Sequence, residues 1–91
     1  MLTEQYIYFL CDKYTLDVRV GVEGMLFINT GRTNWRIYYD QWEVVFVYHE
    51  NYMPKNKDYQ EKISANIGFH RQNIDFKSLD KVLAYIKSHD R

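Results

Sequence analysis

The stretch Thr15–Thr30, TLDVRVGVEGMLFINT, decides the fold. Leu16, Val18, Val20 and Val22 alternate with Asp17, Arg19 and Gly21. A period of two over that length makes a half-buried strand. Glu23-Gly24 supplies a two-residue turn, because glycine tolerates the positive φ such turns require. Met25–Thr30 is then the return strand of an antiparallel hairpin.

The pattern continues downstream. Asn29–Asn34 is a polar loop around Gly31, Trp35–Tyr39 is a third strand, and Asp40-Gln41 is a second tight turn. Trp42–Glu50 is the fourth strand and the most apolar. ENYMPKNKDYQE, residues 50–61, holds the only proline and reads as a loop of about ten residues, long enough to carry function. Ile63, Ala65, Ile67 and Phe69 alternate with Lys62, Ser64, Asn66, Gly68 and His70 in a fifth strand.

Amphipathic helices bracket the strands. Thr3 is a good N-cap with Glu4 in the first turn, and Leu2 and Ile7 fit a hydrophobic staple. The apolar stripe of Tyr6, Ile7, Phe9, Leu10 and Cys11 runs to Tyr14. At the other end Asp75 is the expected N-cap, Ile74 and Leu79 the staple, and Phe76, Leu79, Val82, Leu83 and Ile86 the buried face. The order α-β-β-β-β-β-α with short turns predicts an α+β two-layer sandwich: a mostly antiparallel five-stranded sheet with both helices on one side. Residues 1–91 make one domain.

Composition narrows the function classes. Twelve basic and twelve acidic side chains cancel, so the chain has no general electrostatic grip on nucleic acid or acidic lipid. Its only apolar stretches are too short to cross a bilayer, and the N-terminus lacks the basic start of a signal peptide. One cysteine cannot form an internal disulfide, which suits a cytoplasmic chain. Nine tyrosines, two tryptophans and five phenylalanines supply bulk for a small core, and tyrosine also favours interfaces.

The tight turns assign side chains to faces, since directly opposed residues point the same way. Around Asp40-Gln41, Tyr39 opposes Trp42, Ile37 opposes Val44 and Trp35 opposes Phe46. Around Glu23-Gly24, Val22 opposes Met25 and Val20 opposes Phe27. With Tyr48, this aromatic face is expected under the helices. The other face then carries Arg19, Leu26, Ile28, Arg36, Tyr38, Glu43, Val45, Val47 and His49. It is too apolar for open solvent. The Asn51–Glu61 loop, with Tyr52, Met53 and Tyr59, could cover it; so could a second copy in a homodimer, or a foreign protein. A one-residue slip in register would exchange the two faces.

Chemistry is sparse. His49, His70 and His89 lie on separate elements, with no ligand spacing for zinc; His49-Glu50 and His70 could approach only if strands four and five were neighbours. Cys11 sits in an apolar stripe, where a thiol acts as a small hydrophobe. No phosphate loop or nucleophile elbow is present. Neither a catalytic residue, a metal nor a cofactor is expected. Residues 1–50 hold 4 basic and 7 acidic side chains, and residues 51–91 hold 8 and 5. The basic excess of the second part gives the alternative reading: a nucleic-acid-binding or small ribonuclease-type protein using Lys55, Lys57, Lys62 and Arg71 with His49 and His70.

The leading expectation is a non-enzymatic protein-binding module. Leu26, Ile28, Tyr38, Val45 and Val47 would be its anchors, Arg36 and Glu43 would set orientation, and Tyr52 and Tyr59 would contribute from the loop. Its most specific form is an inhibitor of a host defence enzyme, of the anti-CRISPR type, carried by a phage or mobile element. Nucleic acid and membrane are not expected partners.

Overall fold

The computed structural model describes residues 2–22, 24–50, 68–75 and 77–91. Helix α1 spans Glu4–Lys13, and the strands are β1 Asp17–Val20, β2 Met25–Asn29, β3 Asn34–Tyr39, β4 Val44–Glu50 and β5 Phe69–Arg71. Helix α2 spans Leu79–His89. The fold class is the expected one: α+β, with five antiparallel strands in the order β1-β2-β3-β4-β5. β5 lies beside β4. Residues 62–67 of the anticipated fifth strand fall outside the described residues.

α1 starts as its sequence dictates, with Thr3 Oγ1 accepting the Tyr6 N–H at 3.1 Å. It closes through Thr15, whose φ of 53° is left-handed. The Leu16 N–H reaches back to Cys11 O at 2.9 Å, which satisfies a terminal carbonyl and aims the chain into β1.

α2 begins later than the Asp75 cap predicts; its N-cap is Ser78. The preceding residues are committed to the sheet. The Gln72 N–H bonds to Val47 O and the Val44 N–H bonds to Lys77 O, both at 2.8 Å. The chain is thus still bonded to β4 at Lys77, and it turns into helix only after the extended Ser78.

The strand periods are as read, but two connections are longer than tight turns. In the first hairpin the Gly21 N–H donates to Met25 O (2.9 Å), and Val20 pairs with Leu26 rather than with Phe27. Asp40 to Glu43 forms the second connection, so that Tyr39 faces Val44. Asp40 organises it: Oδ1 accepts the N–H groups of Trp42 and Glu43 at 2.9 and 2.8 Å, which holds its carboxyl below the ordinary range. A bulge at Tyr38/Tyr39 then moves the register again, pairing Tyr38 with Phe46, Ile37 with Val47 and Trp35 with His49.

These shifts reverse the face of β2 and of most of β4, while β1 and β3 keep theirs. Leu26, Ile28 and Val47 are 0, 1 and 4% exposed and pack under the helices. They are core residues, which corrects their assignment to an outward binding surface. Their neighbours in the single core are Trp35, Ile37 and Val44 of the sheet, Ile7, Leu10 and Cys11 of α1, and Leu79, Val82, Leu83 and Ile86 of α2. Phe27, Phe46 and Tyr48, read as core, belong to the opposite face. Among the described residues no helix is long and apolar enough to span a membrane.

Candidate functional site

The sheet face turned away from the helices is built from alternate positions of all five strands. Arg19 comes from β1, Phe27 from β2, Arg36 and Tyr38 from β3, Phe46 and Tyr48 from β4, and Phe69 and Arg71 from β5. Guanidinium groups and rings interleave. Arg19 lies 4.7 Å from the Phe27 ring centroid and Arg36 4.4 Å from that of Phe69. Arg71 lies 4.4 Å over Phe46. Tyr38 and Tyr48 meet edge to face at 5.6 Å. Each cation sits within the range where the ring quadrupole attracts it, and each planar group stiffens the next.

Exposure is graded across this face. Arg36 is buried among Phe27 and Phe69, whereas Arg19 and Arg71 are exposed. Besides Val22 and Phe9, which are exposed elsewhere, apolar side chains stand open to solvent at the start of β4 and in the connection before it: Trp42 is 69% exposed, Val45 47% and Phe46 37%. Beside them is a groove of about 410 Å³, whose walls include Val45, Phe46, Arg71, Asn73 and Lys77. Its origin is topological. β5 pairs only with Tyr48–Glu50, and the chain rejoins the start of β4 only at Lys77.

The expected binding residues therefore divide. Tyr38 is on the outer face and Val45 is exposed beside it at the bulge. Arg36 is on that face but buried, and Glu43 sits in the second connection with its carboxylate 3.7 Å from Lys77 Nζ. Leu26, Ile28 and Val47 are in the core. Tyr52 and Tyr59, with Lys55, Lys57 and Lys62 of the nucleic-acid alternative, lie outside the described residues. Sequence alternation alone left Phe27, Phe46 and Tyr48 unrecognised as surface residues, because the face of Phe27 depends on the length of the first turn and that of Phe46 and Tyr48 on the Tyr38/Tyr39 bulge.

A second constellation lies at the end of α2, and it gathers all three histidines. The His49 ring is 5.2 Å from His70 and 4.8 Å from His89, and it packs at a tilt against Trp35 at 4.1 Å. β4–β5 pairing sets His70 directly opposite His49. Asp90, the cap of α2, stands between helix and sheet. Its Oδ2 accepts the hydroxyls of Thr30 and Thr33 and the Trp35 Nε1–H, the last at 3.0 Å. Oδ1 lies 2.9 Å from His89 Nδ1 and 3.8 Å from His49 Nε2. Burial opposes ionisation of Asp90, but these donors together overcome it and hold the carboxyl well below the usual carboxylate range. For His49, burial dominates the pull of Asp90 and lowers its pKa, which favours the neutral ring.

Cys11 is fully buried and its thiol is pushed up to about 11 by burial and by Asp12, so it is an inert packing residue. No known protein family, curated protein or solved structure matches the chain.

Proposed function

We propose that the protein is a non-enzymatic binding module that docks another protein on the outer sheet face and the groove beside β4. The observation carrying this reading is the exposed apolar run Trp42, Val45 and Phe46 abutting a lattice of arginines and aromatic rings. Aromatic and arginine side chains are what interface centres favour, because they bury much area at small entropic cost. The charge arrangement selects the partner's chemistry. Arg19 and Arg71 are the exposed cations of the face and Lys77 lines the groove, so the fitting surface offers apolar side chains flanked by carboxylates.

The finer form of the proposal is an inhibitor of a host defence enzyme, of the anti-CRISPR type, encoded by a phage or mobile element and acting by occlusion. Its support is the short, tyrosine-rich chain and this face. A nucleic acid is the competing occupant, since rings beside arginines can stack bases and contact phosphates. The zero formal charge favours protein over that reading.

Affinity capture from the native host, with wild type beside a Phe46→Arg/Arg71→Glu variant, tests the proposal. A protein retained by wild type and lost by a variant of unchanged melting temperature supports it. Equal retention by both overturns the assignment of the face. Tight binding of a single-stranded oligonucleotide, weakening steeply with salt, would favour nucleic acid instead. Sedimentation equilibrium separates a foreign partner from a second copy of the chain.

A further inference from the structure

The geometry points to a divalent transition-metal site of the zinc class, formed by His49 Nε2, His89 Nδ1 and Asp90 Oδ1. These three atoms lie within 4.8 Å of one another. Tetrahedral zinc with bonds near 2.0–2.1 Å holds its ligand atoms roughly 3.4 Å apart. The two separations from Asp90 Oδ1, 2.9 Å to His89 and 3.8 Å to His49, straddle that value. Only the histidine pair must close, and His89 is the exposed member of it.

The surroundings already do the work of an outer coordination shell. Asp90 Oδ2 is occupied by Thr30, Thr33 and Trp35, which fixes the carboxylate and leaves Oδ1 aimed at the imidazoles. Trp35 lies against the His49 ring at 4.1 Å, tilted by 35°, and limits its movement. The Thr33 hydroxyl has one proton, and Asp90 takes it; towards His49 Nε2, 2.9 Å away, Thr33 can then only accept. The N–H groups at His49 Nε2 and His89 Nδ1 are thus the positions a cation replaces, each neutral ring releasing that proton to solvent and taking one up at its other nitrogen. Two neutral nitrogens and one carboxylate oxygen suit zinc, with solvent at the fourth position. The bland alternative is a helix cap: the same hydrogen bonds tie α2 to the β2–β3 connection and bind nothing.

Untagged, chelator-stripped protein titrated with zinc chloride distinguishes the two. The site predicts one zinc per chain, and a melting temperature several degrees higher at a hundredfold excess over Kd. Cobalt(II) should give the intense visible absorption of a four-coordinate centre. His89→Gln, at an exposed position, and His49→Gln should each weaken zinc binding at least tenfold. Circular dichroism checks that both variants fold, and His89→Gln alone suffices if His49→Gln does not. Absence of zinc-dependent heat and stabilisation in wild type overturns the site. Zinc affinity unchanged in folded His89→Gln does the same.

Discussion

Asp90 joins the end of α2 to three residues of the sheet side, and nothing in the sequence announces it. Thr30, Thr33 and Trp35 are 55–60 positions away, and no spacing motif relates them to it. Only the packed structure makes it a buried carboxylate with several donors. Charged hydrogen bonds of this kind are worth about 1.5–3 kcal/mol each, and they are not additive. Asp90→Asn should therefore cost about 2–4 kcal/mol in urea denaturation at pH 7. The pH dependence has a definite sign. Asp90 has a folded pKa below its unfolded value of about 4, so its contribution is present above that value and fades as pH falls further. His49 has a folded pKa below about 6.5, so the unfolded chain binds its proton more readily, and stability declines as pH drops through that range. Denaturation between pH 7 and 3 should show both declines in wild type, with the lower one reduced in Asp90→Asn. Thr15 makes a separate prediction. A β-branched residue at φ 53° is strained by about 1–2 kcal/mol. Asparagine tolerates that region, so Thr15→Asn should raise stability by about 1 kcal/mol, less a few tenths for the exposed Lys87–Thr15 bond. Calorimetry reads the net gain of about 0.7 kcal/mol as a melting temperature higher by about 3–5 °C.

The first strand was legible from its alternation and the second to fourth from the turn residues between them; which residues stand opposite one another was not. Val18, Val20, Ile37 and Arg36 reveal their period in the sequence, but period alone does not say which neighbours stand opposite. That depends on the length of the reversal. The first hairpin is one residue out of step with a tight turn, and the Tyr38/Tyr39 bulge adds another step, so β2 and most of β4 present the reverse face. The start of α2 was misplaced because a backbone bond from Val44 to Lys77 prevails over a local capping preference at Asp75. Gly24 shows how tightly the first turn is built. Its φ is 74°, and an added Cβ would lie 2.5 Å from the carbonyl oxygen of Tyr39. Gly31, at φ 90°, has nothing within 4 Å of that position. Both Gly→Ala variants incur the backbone cost of about 1 kcal/mol, but only Gly24→Ala must also push β3 aside. Gly24→Ala should lose at least about 2 kcal/mol and melt well below Gly31→Ala. Equal melting temperatures would remove the close approach as a cause.

Over the whole molecule, one face of the sheet supplies aliphatic core and the other supplies rings and arginines. The aromatic excess and the apolar character of both faces were readable in the composition. Which face the helices cover was not, because the decision lies in the length of the first turn and in the Tyr38/Tyr39 bulge. The histidine cluster was half legible: His49 and His70 were expected to approach if strands four and five were neighbours, as they are, whereas His89 joins them only because α2 ends there, which no linear spacing encodes. Buried Val47 and exposed Phe46 are adjacent in the chain yet point to opposite sides, so they test the assignment of faces directly. Thermal denaturation of Val47→Arg and Phe46→Arg is the decisive comparison. A charge forced among Leu26, Ile37 and the helices should unfold Val47→Arg or lower its stability by more than about 4 kcal/mol. Phe46→Arg should melt within a few degrees of wild type. A folded Val47→Arg beside an unfolded Phe46→Arg would contradict the account, since the aromatic face would then be the one inside.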